Sequence, residues 1–297
     1  MSAASRIPLL SSAARRAAAP PLLLLAAVFA PLPAASPAAG EETAPPGSRP
    51  AVVLELFTSQ GCSSCPAADR VLSRLGGEAR AAGVTLVPLA YHVDYWNRIG
   101  WVDPFSSPRW SARQRRYAGV FGLRSVYTPQ IVLNGRAELV GSREGRVRAE
   151  IPGAVPPSPA GRVEILGAEL DGDAAELVVD VVAEIGERVP GPRLIASLAL
   201  FESGLVTPVA SGENSGRTLE NDYVVRLLRP VITFGAPGPS SRSQRSSIAL
   251  DPGWAVGNLG VAAFLQDSET LEIHAAAVRH RIDRAAGRED PRAGAAR

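Results

Sequence analysis

Two parts of the chain differ in the spacing of their apolar residues. Residues 50–57 form a nearly continuous apolar run, which predicts a buried strand, and the next segment repeats apolar side chains at helical spacing with Pro66 in its first turn. The same patterns predict, in chain order, a strand at 84–91, a helix from 108 that stops at Gly122, strands at 128–133 and 136–140 around Asn134-Gly135, and a helix at 142–151. Residues 50–155 are therefore expected to form an α/β domain.

Beyond a proline-rich segment at 152–159, helical periodicity largely disappears. Apolar stretches of strand length alternate with turn residues, and they lie at 162–166, 176–183, 194–202, 223–228, 247–250, 259–266 and 271–277. This spacing predicts an all-β, sandwich-like domain over residues 160–278, with a mobile loop at 235–246. The charged residues 279–297 predict a disordered tail.

Residues 1–39 have the order of a secretory signal. Three arginines precede the apolar run at 21–30, and small residues follow it. The alternative is an uncleaved membrane anchor, but the run is shorter than the ~20 residues that a spanning helix needs. We expect a cleaved signal peptide, a linker at 40–49, no membrane span after signal removal, and a periplasmic or secreted protein.

The charge of the chain points away from nucleic acid. The formal net charge is +2, and the three arginines of residues 1–39 are not balanced by any acid there, so the rest carries −1. No basic stripe or patch of the kind that binds phosphate backbones is evident.

Cys62 and Cys65 are the only two cysteines in the sequence, three positions apart. In an oxidising compartment they are expected to pair with each other. A purely structural disulfide is the alternative, but closing so short a loop stabilises a fold by only about 2 kcal/mol in the chain-entropy model. The pair therefore favours redox chemistry.

The position of the pair supports that chemistry. Cys62 is predicted at a helix N-terminus, where free N–H groups and the helix dipole stabilise a thiolate. Cys62 would then attack and Cys65, one turn further, would resolve the mixed disulfide. The sequence predicts an exported thiol–disulfide oxidoreductase that exchanges disulfides with protein thiols and needs no cofactor.

A polar and aromatic loop follows the second predicted strand. If that strand runs parallel to the first, His92 and Trp96 lie near the dithiol, together with Asp94, Tyr95, Trp101 and Asp103. The tryptophans would form part of the substrate site or simply pack as a loop core. His92 would move protons, or complete a metal site with Cys62 and Cys65, so a copper or zinc carrier is the alternative function.

The predicted order of elements in residues 50–155 resembles the thioredoxin fold. This resemblance implies an α/β thioredoxin-like domain followed by the all-β sandwich-like domain. It also implies that Pro129 is a cis-proline against the sulfurs and that the backbone of Thr128 pairs with a substrate chain. In thioredoxins a buried acid lies beneath the dithiol, and Glu55 is the candidate here, with an edge-facing or loop-bonded role as the alternative.

More narrowly, four segments resemble an uncharacterised family of secreted bacterial thioredoxin-like proteins: 54–66, 92–96, 127–130 and 212–219. The last segment contains Glu213, Asn214 and Arg217 in a polar, glycine-bearing loop. Those residues would contact the first domain or a partner, or serve ordinary turn chemistry. The second domain as a whole has a docking role or an inert supporting role.

Overall fold

The computed structural model describes residues 50–79, 85–156, 161–171, 176–186, 194–236 and 238–284. The predicted signal at 1–39 and linker at 40–49 lie outside the described residues, as does the predicted tail from residue 285 onward. Residues 279–284 of that tail are described, and two of them form a short strand. No helix in these described ranges is both long and apolar enough to cross a membrane.

The elements predicted in the first half of the chain are present. They are β1 (Ala51–Thr58), α1 (Cys65–Ala79), β2 (Thr85–His92), α2 (Pro108–Val120), β3 (Gln130–Leu133), β4 (Ala137–Val140) and α3 (Glu144–Ala154). Every residue of β1 is buried, which explains its uninterrupted apolar run. The side chain of Ser107 accepts a hydrogen bond from the Arg109 N–H and so caps α2, with Pro108 in the first turn.

In the second half, strands occupy each apolar stretch that the sequence indicated. They are β5 (Gly161–Asp171), β6 (Glu176–Ile185), β7 (Leu194–Glu202), β8 (Leu205–Pro208), β9 (Thr218–Asn221), β10 (Val224–Thr233), β11 (Ser240–Ala249), β12 (Leu259–Asp267), β13 (Ile273–Arg279) and β14 (Asp283–Arg284). β8 and β9 form a hairpin of their own.

The mobile loop predicted at residues 235–246 is wrong for most of that range. Ser240 and the residues after it belong to β11, which pairs with β6 along its whole length. β11 lies at the edge of a four-stranded sheet of order β11-β6-β5-β14. Its serine and arginine side chains are mostly exposed, so backbone pairing and not an apolar face holds the strand. The apolar pattern therefore gave no strand signal there.

The predicted fold class, an α/β thioredoxin-like domain followed by a separate β-sandwich, is wrong. The described residues are mostly β, and one mixed eight-stranded sheet takes strands from both halves in the order β13-β12-β7-β10-β2-β1-β3-β4. The halves meet where β10 pairs in parallel with β2 at Val224 and Ala90. The Ala90 N–H donates to the Tyr223 carbonyl oxygen there, at 2.8 Å.

One apolar core follows this sheet across both halves. It contains Leu54 and Tyr91 from the first half together with Phe201, Tyr223 and Phe264 from the second. A second core lies between the outer part of this sheet and the four-stranded sheet. The apolar pattern of a strand shows that it has a buried face but does not identify its neighbours, and for this reason the sequence suggested two separate sheets.

Candidate active site

The dithiol lies between the end of β1 and the start of α1. The Cys62 N–H donates to the Ser59 carbonyl oxygen at 3.1 Å, and the Cys65 N–H donates to the Cys62 carbonyl oxygen at 3.2 Å. α1 begins at Cys65, so the prediction of a dithiol at a helix N-terminus is confirmed. Both cysteines are buried free thiols in this structure, so the predicted disulfide is not formed in it.

The pKa values of the two thiols are shifted in opposite directions. Hydrogen bonds from Cys65, Ser64 and Thr128 lower the pKa of Cys62 to about 6, although burial acts in the other direction. Burial raises the pKa of the Cys65 thiol well above its ordinary value, and the neighbouring Cys62 adds to this rise. Near neutral pH, Cys62 is therefore the thiolate and Cys65 keeps its proton.

Three of the predicted site residues surround Cys62. The Thr128 hydroxyl donates to Cys62 Sγ at 3.4 Å, and Trp96 Nε1 donates to Thr128 Oγ1 at 2.8 Å. The Thr128–Pro129 peptide bond is cis, as the resemblance implied. Trp96 also lies against Gly61, where an added Cβ would come within 3.2 Å of the Trp96 Cβ. The structure therefore brings Thr128 to Cys62 Sγ and Trp96 to Thr128, and the cis-proline Pro129 is the next residue in the chain.

His92 lies at the predicted edge of the sheet but pairs with an acid and not with the sulfurs. Thr58 and His92 are register partners at the ends of β1 and β2. His92 Nδ1 donates to Asp103 Oδ2 at 2.7 Å, and both side chains are fully buried. Burial alone would lower the pKa of His92, but the carboxylate of Asp103 reverses that effect and raises it. Asp103 also accepts the Gln60 N–H at 2.8 Å. This bond joins the pair to residues 59–64 between β1 and α1, which we call the dithiol loop.

The metal alternative gains no support from this arrangement. Within the described residues, no group of three or more His, Cys, Asp or Glu side chains is placed to hold a metal ion. Cys62, Cys65 and His92 therefore do not form the ligand set that the alternative required.

Asp69 is a site residue that the sequence analysis missed. It lies on α1 four residues after Cys65, it is 7% exposed, and Thr58 Oγ1 donates to its Oδ1 at 2.8 Å. Burial raises its pKa to about 7, and the charge of Cys62 adds to this rise. The charge of Asp69 in turn raises the pKa values of Cys65 and His92. The available signal was the helical spacing, because positions four apart share one face of a helix.

Glu55, the predicted proton acceptor, has a different set of partners. Its Oε1 accepts a hydrogen bond from Arg113 Nε of α2 at 2.7 Å, and its Oε2 accepts one from the Tyr117 hydroxyl. Its side chain is fully buried in this ion pair. The carboxyl group whose charge raises the pKa of Cys65 is that of Asp69.

The loop between β8 and β9 also reaches the dithiol. We call residues 210–217 the clamp loop. Asn214, which is completely buried, donates from Nδ2 to the carbonyl oxygens of Gln60 and Cys62 at 2.8 and 3.0 Å. Glu213 Oε2 accepts the Ser63 N–H at 2.9 Å. Of the alternatives for these residues, contact with the first half of the chain is confirmed.

Two of the solved structures that match the chain are of similar extent. The chain is similar to a crystal structure of a protein from Agrobacterium tumefaciens, with 27% identity and a TM-score of 0.53 over 76% of this chain and 92% of that chain. It is also similar to HBP35 of Porphyromonas gingivalis, with 15% identity and a TM-score of 0.55 over 80% and 78% of the two chains. At the lower identity the likeness concerns the fold alone.

The sequence comparisons give a family. No curated protein matches the chain. The family model described as a protein of unknown function, DUF1223, matches residues 53–266, which is more than half of the sequence. The chain therefore belongs to the DUF1223 family.

Proposed function

We propose that the protein is a thiol–disulfide oxidoreductase, with Cys62 as the nucleophile and Cys65 as the resolving thiol. The observation that carries this proposal is the asymmetry of the dithiol: Cys62 has a pKa of about 6, and Cys65 is a buried thiol of raised pKa. A purely structural cysteine pair has no need of this difference. Protein thiols or disulfides outside the cytoplasm are the proposed partners, and that location rests on the signal predicted at residues 1–39.

In the first step the Cys62 thiolate attacks one sulfur of a substrate disulfide. The bond from Cys62 to that sulfur forms, the substrate S–S bond breaks, and the other substrate sulfur leaves as a thiolate. The hydroxyl of Thr128, 3.4 Å from Cys62 Sγ, stabilises the attacking anion. Because Cys62 is only 1% exposed, neighbouring groups must move to admit the substrate sulfur.

In the second step Cys65 attacks Cys62 Sγ. Its proton goes to Asp69, which is the buried carboxylate on the next turn of α1 and has a pKa of about 7. The Cys62–Cys65 disulfide forms, the bond between Cys62 and the remaining substrate sulfur breaks, and that sulfur leaves as a thiolate. The dithiol has lost two electrons and the substrate has gained them. The reverse sequence oxidises a substrate dithiol.

We further propose that a relation to thioredoxin-like proteins lies in this site. The features that support it are the Cys62–Cys65 spacing at a helix N-terminus and the Thr128–Pro129 segment beside it. The proposed relation concerns the site and not the eight-stranded sheet, because the same chemistry occurs on different folds.

Catalysed reduction of insulin disulfides by dithiothreitol tests the proposal. The purified protein should accelerate the reaction, Cys62→Ser should abolish the acceleration, and Cys65→Ser should accumulate a mixed disulfide through Cys62. Ser73→Ala, on the same helix, is the matched control and should retain the wild-type rate. A wild-type rate equal to the uncatalysed rate, or full activity in Cys62→Ser, would refute the proposal.

A further inference from the structure

The clamp loop has a fixed conformation against the dithiol loop. Within it, the Ser215 N–H donates to the Gly212 carbonyl oxygen and the Gly216 N–H donates to the Val209 carbonyl oxygen, at 3.1 and 2.9 Å. Asn214 Oδ1 accepts a hydrogen bond from Arg217 at 2.9 Å, while its amide nitrogen holds the backbone of the dithiol loop. These bonds fix the backbone of the clamp loop and so limit the positions that the side chain of Glu213, the residue before Asn214, can occupy.

That side chain reaches the amide directly after Cys62. The Glu213 carboxylate accepts the Ser63 N–H at 2.9 Å. Backbone N–H groups at this position, ahead of α1, are the groups that stabilise a thiolate at a helix N-terminus. Glu213 therefore occupies one such donor and places a negative charge at the amide of the residue next to Cys62. Both effects oppose formation of the thiolate.

We propose that Glu213 is a positioning residue that restrains the ionisation of Cys62 and thereby makes the dithiol a weaker oxidant. This inference rests on the proposed function and adds its regulation by a residue from the second half of the chain. A stabilised thiolate favours the reduced form and so makes the disulfide more oxidising. Glu213 acts in the opposite direction, against the hydroxyls of Ser64 and Thr128.

Other ionisable groups interact with Cys62 from the elements packed around it. Cys65 does so through a hydrogen bond, and the charge of Cys62 raises the pKa of Asp69 on α1 and of Tyr95 in the loop after β2. Glu213 differs from Asp69 because it is exposed and comes from the clamp loop. A change at Glu213 therefore alters the charge near Cys62 while leaving α1 as it is.

The test compares wild type with Glu213→Gln and Glu213→Ala. The rate of alkylation of Cys62 by iodoacetamide is followed against pH by mass spectrometry, and the dithiol is equilibrated with glutathione. Glu213→Gln removes the charge and keeps an acceptor oxygen, whereas Glu213→Ala removes both. Each should increase the acid dissociation constant of Cys62 by about twofold to tenfold and shift the glutathione equilibrium toward the dithiol. The difference from wild type should shrink in 1 M salt.

Glu220→Gln is the matched control, because it removes an exposed carboxylate of β9 in the same part of the chain. It should leave the acid dissociation constant of Cys62 unchanged. If the acid dissociation constant of Cys62 in both Glu213 variants equals or falls below the wild-type value, the inference is overturned. Normal exchange of wild type with glutathione would then leave the proposed function intact. If wild type fails to exchange with glutathione, the proposed function fails, while the alkylation profile still decides the role of Glu213.

Discussion

Asp69 is the residue whose burial has the most direct chemical consequence. Its carboxyl group is held by the Thr58 hydroxyl on one side and lies on the same helix face as Cys65. Burial raises its pKa to about 7, so it gains and loses a proton near neutral pH, where the resolving thiol must be deprotonated.

Asp69→Asn should slow the resolving step. We expect the mixed disulfide with Cys62 to break down about 10²-fold more slowly, at the lower end of what a general base contributes. In wild type the rate should rise with pH through about 7, and the variant should lack this inflection, as measured by quenched-flow alkylation of the intermediate.

Measurements of the free energy of unfolding distinguish a role of Asp69 as proton acceptor from a role in stabilising the fold. The folded pKa of Asp69 lies above its value of about 3.9 in an unfolded chain, so folding takes up a proton between those two pH values. The ionised carboxylate therefore lowers the free energy of unfolding as pH rises to 7, and Asp69→Asn should be at least as stable as wild type there. Glu78→Gln, an exposed acid on α1, should keep the wild-type rate. A normal resolving rate in Asp69→Asn would exclude Asp69 as the acceptor.

The site residues that the sequence revealed are those with a local signal. Cys62 and Cys65 follow a strand and open a helix, and Thr128-Pro129 precedes a strand, so adjacent residues define each position. Asp69 carried only the weaker signal of helical spacing. The ion pair of Glu55 has no local signal, because its partner Arg113 lies 58 positions away along the chain.

At the scale of elements, a buried ion pair joins β1 to α2. Arg113 donates to Glu55 and also, from Nη2, to Gln266 Oε1 of β12 at 3.2 Å. Its guanidinium lies over the rings of Tyr91, Tyr117 and Phe264. The helix is thus fixed to strands from both halves of the large sheet by a single side chain.

Arg113→Met should destabilise the protein by about 3–5 kcal/mol, because it leaves the Glu55 carboxylate buried without its partner. Urea unfolding measures this change. Much of the loss should be recovered when Glu55→Leu is added, since that removes the unpaired charge. Arg245→Met, which breaks an exposed pair with Asp180, should cost less than about 1 kcal/mol. If Arg113→Met also lowers the free energy of unfolding by less than about 1 kcal/mol, the buried pair is not needed for stability.

At the scale of the whole molecule, the two halves of the sequence build one sheet and one site. Strand positions followed from short-range apolar patterns, but the pairing of β10 with β2 joins residues more than a hundred positions apart. Nothing in either strand marks the other as its partner. More than a hundred positions also separate Gln60 from Asn214 and Asn221, which hydrogen-bond to it in the folded site.

Cys62 and Cys65 differ in acidity because of their surroundings. The most direct test is the pH dependence of alkylation of the reduced wild-type protein, with each cysteine quantified separately by mass spectrometry. We expect half-maximal reactivity of Cys62 near pH 6 and a Cys65 that stays unmodified until far more alkaline pH. Equal reactivity of the two thiols, or a midpoint for Cys62 near its ordinary value of 9.0, would contradict it.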